Sequence, residues 1–188
     1  MSDIVYSIIE NKAIPERRTL AVLVDNEFGV LARVVGLFSG RGYNIESLTV
    51  AEVDEASKLS RITIVTRGTE KVIAQIKALL ARMVPVHAVY DLTLESPHVE
   101  RELGLVKVIG TGKKRVEALR IADIFRARAV DSTTNSFVFE ITGTSEKIDA
   151  FINLMRPLGL AEICRTGVAA VARGDNVKLP KHLEDLAS

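Results

Sequence analysis

The chain has 188 residues, of which 47% are hydrophobic and 26% charged, and a formal net charge of +1. That length holds one large domain or two small ones, and the composition supports a packed core and excludes wholesale disorder. The near-neutral balance lacks the basic excess of a dedicated nucleic-acid binder. One cysteine, Cys164, excludes an internal disulfide framework and suits a reducing compartment. It lies in an apolar run, where the expected role is a small packed hydrophobe. No run approaches the ~18 apolar residues of a membrane span. The apolar stretch at 4–9 is too short for a secretory segment and follows Asp3. A cytoplasmic protein with no membrane partner is expected, with an irregular N-terminal arm over 1–17.

From there the hydrophobic period alternates between 2 and 3.6. Residues 19–25 read as an apolar strand. Residues 29–39 read as a helix with Leu31, Val34, Val35 and Phe38 on one face. A strand follows at 44–53, a polar turn at 54–58, and a strand at 59–67 with Ile62 and Ile64 on one side. Residues 69–82 form a helix burying Val72, Ile73, Ile76, Leu79, Leu80 and Met83, with Thr69 and Glu70 placed as cap and first-turn acid. Residues 85–95 alternate again, with Val86, Ala88, Tyr90, Leu92 and Leu94 facing one way.

This order, βαββαβ, is the split-βαβ ferredoxin-like unit. After a linker at 96–102 it recurs. The second set is a strand at 103–111, a helix at 113–125 with Val116, Leu119, Ala122 and Phe125 in register, and strands at 127–133 and 136–143. A helix at 145–156 then buries Ile148, Phe151, Ile152 and Met155, and a last strand region at 158–172 carries a turn or bulge at Gly167. Gly68-Thr69-Glu70-Lys71 and Gly143-Thr144-Ser145-Glu146-Lys147 hold the same place in the two sets. The expected fold is α+β: two ferredoxin-like domains at 18–95 and 103–173, with a mobile tail at 174–188.

Catalytic motifs are missing. His87, His98 and His182 are scattered and lack metal-ligand spacing, so no metal is expected. No Gly-x-Ser-x-Gly elbow occurs, and Glu52, Asp54 and Glu55 lie in a turn where solvation explains them. Gly110-Thr111-Gly112-Lys113-Lys114 has the look of a phosphate loop. Its first glycine position, however, is Lys107, and Lys114 stands where the magnesium-binding hydroxyl belongs. Phe137 and Phe139 resemble an RNA-stacking pair, but the matching aromatic on residues 105–109 is absent, so core or interface packing is expected.

The richest segment is 25–46. A strand ends in Asp25-Asn26-Glu27-Phe28-Gly29, a glycine opens an amphipathic helix, the helix stops at Gly40 and Gly42, and Asn44 begins the next strand. Free N–H groups and a positive helix end suit a carboxylate, and nearby amides suit an ammonium. The run resembles the ligand-binding segment of the ACT domain. Arg41-Gly42-Tyr43-Asn44-Ile45-Glu46-Ser47-Leu48-Thr49-Val50 narrows the resemblance to the small regulatory subunits of acetolactate synthase. So do His98-Val99-Glu100-Arg101-Glu102-Leu103, the stretch 143–151, Arg165-Thr166-Gly167-Val168 and Ala172-Arg173-Gly174. Phe28 and Val30 depart from the smaller residues common there.

That resemblance makes the first domain an ACT domain and places an effector site at Asn26, Gly29 and Asn44, with Val30, Leu31 and Ile45 as its apolar wall. It implies a chain without catalytic activity or cofactor of its own. Its partner would be the large catalytic subunit, which carries thiamine diphosphate, FAD and magnesium. The chain would raise that subunit's activity and confer feedback inhibition by a branched-chain amino acid, usually valine. It would be a homodimer through the ACT domain, with Gly29–Leu31 of one chain near Asn44–Ile45 of the other. The alternative is a free-standing ACT-type sensor acting on another enzyme.

Overall fold

The computed structural model describes residues 14–175. The tail expected at 174–188 and the arm expected at 1–17 lie largely outside that range. Within it, two βαββαβ units follow one another. The first comprises β1 (Glu16–Asp25), α1 (Val30–Gly40), β2 (Ile45–Asp54), β3 (Leu59–Gly68), α2 (Glu70–Leu80) and β4 (Val86–Asp91). A one-turn helix, α3 (Leu92–Glu95), leads out of it. The second comprises β5 (His98–Ile109), α4 (Gly112–Phe125), β6 (Arg128–Ser132), β7 (Ser136–Gly143), α5 (Ser145–Gly159) and β8 (Leu160–Arg165), with β9 (Ala169–Ala172) after it. The sheet orders are β2-β3-β1-β4 and β6-β7-β5-β8, the same permutation twice.

The repeated glycine–threonine signal has one physical role in both units. The Thr69 side chain accepts from the Val72 N–H, and the Thr144 side chain accepts from the Lys147 N–H, capping α2 and α5. A Cβ at Gly68 would stand 2.9 Å from Val72 Cγ1, and one at Gly143 would stand 2.5 Å from Lys147 Cδ. At Gly68 the short, branched Val72 leaves no room for a side chain, whereas at Gly143 the flexible Lys147 side chain would have to move aside.

Each unit has a core between its helices and one sheet face. In the first, Leu20, Val22 and Val24 of β1 meet Ile62 and Ile64 of β3, Val30, Val34 and Phe38 of α1, and Ile73, Ile76 and Leu80 of α2. In the second, Val106 and Val108 meet Phe137, Phe139 and Ile141, Ala118, Ile121 and Ala122, and Ile148, Phe151, Ile152 and Met155. Phe137 and Phe139 are therefore buried core residues.

Several elements differ from expectation, each for a local reason. The strand read at 85–95 stops at Asp91, because its carboxylate accepts from the Thr93 and Leu94 N–H groups at 3.1 Å each and starts α3. β4 also carries a bulge: Val86 pairs with Val24 and Ala88 with Leu23. The extra residue, His87, reverses the alternation, so Val86 and Val89 face the helices while Ala88 and Tyr90 face away. Residues 98–102, read as linker, belong to β5, whose first four residues pair with β9.

On α4 the buried residues are Ala118, Ile121 and Ala122, whereas Val116 is 68% exposed and Leu119 is exposed too. The helix packs through its small side. On α1 the buried stripe is Val30, Val34 and Phe38, leaving Leu31 exposed. Cys164 is exposed, because β8 is an edge strand, not an interior one.

Candidate functional site

β1 ends where Asp25 donates its N–H to Pro85 O (2.9 Å) and takes His87 Nε2 on its carboxylate (2.6 Å). The Asn26 N–H then donates to Lys58 O at 2.7 Å. These bonds fix the chain before it turns. Gly29 sits at φ +82°, the left-handed region, and is the N-cap of α1. No side chain caps this helix, and no acid stands in its first turn. Val30 N–H reaches Glu27 O at a long 3.4 Å, and the next main-chain bond of the turn is Arg33 N–H to Gly29 O at 3.0 Å. The amides between them, of Leu31 and Ala32, have no main-chain acceptor there. The result is a positive, uncapped helix end at the surface, suited to a carboxylate. Asn26, Phe28, Gly29 and Leu31 are all exposed around it.

Val30 is a correction to the expected site. Its side chain is 3% exposed and packs in the core. It can offer a ligand its main chain and not an apolar wall. Leu31 alone of that pair presents its side chain outward.

Asn44 and Ile45 lie elsewhere. β1 and β2 both run antiparallel to β3, so they run parallel to each other. Asp25, the end of β1, pairs with Leu59; Ile45, the start of β2, pairs with Thr66 at the far end of β3. The 11 residues of α1 connect the two ends, a span of about 16 Å. A single chain therefore groups Asn26, Gly29 and Leu31 at one end of α1 and Asn44 and Ile45 at the other. The main chain just before β2 is anchored to its neighbour: Thr66 Oγ1, fully buried, donates to Asn44 O at 2.6 Å.

A feature that sequence reasoning did not find is a cavity of about 580 Å³ between the two units. It is lined by charged pairs. Glu102 is 5% exposed and holds Arg165 through both oxygens, at 2.8 and 2.7 Å; Arg165 also reaches Asp149 at 2.6 Å, and Ser145 Oγ donates to Glu102 at 3.0 Å. Burial pushes the Glu102 carboxyl up, but its bonds from Arg165 and Ser145 outweigh that and hold it below the ordinary value. The bonds from Arg165 to Glu102 and Asp149 raise the arginine in turn, against the effect of burial. On the near wall, Arg17 forks onto Glu100 at 2.8 and 3.2 Å, and Thr19 Oγ1 donates to the same carboxylate. Burial raises Glu100 as well; Arg17, Thr19 and His98 bring it net below the ordinary value. These residues lie up to 83 positions apart, and nothing in local patterning pairs them. Among the described residues, no group of three or more His, Cys, Asp or Glu is placed to hold a metal ion, and no helix is long and apolar enough to cross a membrane.

The fold and the uncapped turn define a class: a tandem ferredoxin-like protein whose first unit has the ACT arrangement. Residues 20–87 match the family described as the AHAS small subunit-like ACT domain, and residues 101–174 match the family described as the small subunit of acetolactate synthase. The chain is 47% identical over 162 residues to the acetolactate synthase isozyme 3 small subunit of Escherichia coli, covering 86% of this chain and 98% of that one. It is 42% identical over 163 residues to the acetolactate synthase small subunit of Bacillus subtilis, covering 86% and 94%. A crystal structure of the acetolactate synthase small subunit from Thermotoga maritima superposes with a TM-score of 0.77 at 36% identity, covering 86% of this chain and 99% of that one. The chain belongs to the acetolactate synthase small subunit family.

Proposed function

We propose that this chain is a non-catalytic regulatory subunit. It binds a branched-chain amino acid, raises the activity of the thiamine-diphosphate-dependent catalytic subunit of acetolactate synthase in the cytoplasm, and makes that activity sensitive to feedback inhibition, with valine the first candidate. Thiamine diphosphate, FAD and magnesium belong to the catalytic partner in this reading.

The observation that carries it is the uncapped start of α1 at Gly29, with first-turn amides that have no main-chain acceptor and no first-turn acid. A free amino acid brings a carboxylate for those amides and an ammonium for Asn26 and Asn44. Asn44 reaches the same ligand only from a second copy. β2 is an edge strand, and such an edge needs a cover or a partner. Two-fold pairing of β2 with its counterpart sets the start of one β2 beside the end of the other, which is the Gly29 end of the sheet. Two equivalent sites follow, each drawing on both chains. Leu31 and Ile45 then select the side chain. A methylene in such a wall is worth only about 1–3 kcal/mol, so valine, leucine and isoleucine differ by roughly ten- to a few-hundred-fold.

The test is a reconstituted holoenzyme carrying wild-type or Gly29→Asp chains, assayed across a valine series. A Cβ at Gly29 meets nothing within 4 Å, and aspartate is among the residues that best tolerate positive φ, so the helix survives. The added carboxylate repels the ligand's own and displaces a charge-assisted bond worth about 1.5–3 kcal/mol. Sensitivity to valine falls at least about tenfold, while activation persists. Unchanged valine inhibition in the variant refutes this placement of the site. Valine binding without any effect on the synthase favours the free-standing sensor.

A further inference from the structure

β2 carries the proposed effector residues at its start and, a few residues on, a direct grip on the C-terminal half. The Val168 N–H donates to Ser47 Oγ at 2.8 Å, and Thr49 Oγ1 donates to Val168 O at 2.8 Å. Two hydroxyls of one strand thus hold both main-chain polar groups of one residue about 120 positions away. Val168 itself is buried against Ala21, Val65 and Leu92. The approach leaves no room for a side chain: Gly167 has φ +82°, and a Cβ there would stand 2.8 Å from Ser47 Oγ and 3.1 Å from Thr49 Cγ2.

Between the effector residues and these hydroxyls lies a β-bulge. Ile45 pairs with Thr66 and Ser47 with Val65, so Glu46 is the extra residue. The bulge reverses the alternation. Ile45 and Leu48 both pack on the helix-side core, and Ser47 and Thr49 both turn to the opposite face, toward Val168. Without the bulge, the strand could not serve both sides in this register. A bulge is also a place where a strand can change its local twist while its ladder stays paired.

We propose that Ser47 and Thr49 are a latch by which occupancy of the effector site reaches the C-terminal half. This rests on the effector reading above and adds the route by which binding is transmitted. Ligand on Asn44 and Ile45 acts on the strand across the Glu46 bulge, and the two hydroxyls carry the change to Val168. From there it passes into β9, which pairs with β5, and into the Arg165–Glu102 wall of the cavity.

The experiment uses the full chain. Calorimetry with L-valine, L-leucine and L-isoleucine establishes occupancy, and hydrogen exchange follows residues 166–172 with and without the amino acid that binds. In the wild type, exchange in 166–172 changes by roughly fivefold or more, the low end of ordinary allosteric coupling. In Ser47→Ala/Thr49→Val the amino acid still binds and that change disappears. Thr49→Ser, which keeps the hydroxyl, retains it. Binding that leaves 166–172 unchanged in the wild type overturns the latch, as does a change that persists in the double variant. A flat titration with all three amino acids fails the effector reading itself, and the latch with it. Circular dichroism checks the fold of the variants. If the double variant does not fold, Thr49→Val alone, which removes the bond to Val168 O, makes the comparison: a change that shrinks there supports the latch, and one that persists at full size overturns it.

Discussion

On the side of the first sheet away from its helices, Thr19, Ala21 and Leu23 of β1 and Thr63 and Val65 of β3 are all buried. On the same side of the second sheet, Leu105 is 36% exposed, Ile109 is more so, and Cys164 is exposed. The two units share strand order and helix caps, so topology does not decide this. What differs is what the rest of the chain lays over the sheet. The first face is covered by α3 and by the segment ending in β9, through Leu92, Val168 and Ala170. Arg61 donates to Ala170 O at 2.8 Å, and Arg17 clasps Glu100 at the start of β5. Nothing among the described residues comparably covers the second face. One unit is thus completed by the other, and the dependence runs one way.

The largest test of this contrast is a matched pair of truncations. Leu92, fully buried in the cover, should cost about 2–5 kcal/mol on Leu92→Ala. Leu105→Ala on the open face should cost under about 1 kcal/mol. Urea unfolding of the two variants reads both. Similar losses would mean that the second face is covered in solution as well.

A smaller effect comes from acid. Glu100 and Glu102 titrate below the ordinary value of 4.5 in the folded chain. A carboxylate whose folded value is depressed contributes stability that is whole above its unfolded value and is lost as pH falls through the folded one. The melting temperature should therefore fall as pH drops below about 4.5. Glu100→Gln, at the junction of the two halves, should show a shallower fall over that window. An equally steep fall would place the acid sensitivity elsewhere. The smallest effect is chemical: Cys164 should be modified by a thiol reagent in native buffer as completely as in denaturant, with little change in melting temperature.

Much of this was legible in the chain. The continuous run Leu20-Ala21-Val22-Leu23-Val24 marks a strand buried on both faces, while Lys107 and its cross-strand partner Glu162 mark a second sheet with one wet face. The order of elements, the threonine caps and the turn at Gly29 were equally open to reading. The bulges at Glu46 and His87 were not, because alternation assumes one residue per pairing position and an inserted residue leaves no compositional trace. The outward rotation of Val116 and Leu119 depends on how closely Ala118 and Ala122 let α4 approach its neighbours. The cover was hidden for two reasons: Val168 and Ala170 lie far from the first sheet in sequence, and Leu92 reads as one more residue of the strand that Asp91 ends. Of the proposed site, the helix start was visible, and so was the helix that separates Gly29 from Asn44 within one chain; that Val30 turns inward was not.

The most direct test of the account is native-state hydrogen exchange across a urea series, comparing the amides of Ala21 and Leu23 in β1 with those of Val168 and Ala170 in the cover. If the C-terminal half completes the first unit, the two sets open together, with the same free energy and the same urea dependence. Opening of the cover at much lower free energy, while β1 stays protected, would contradict it.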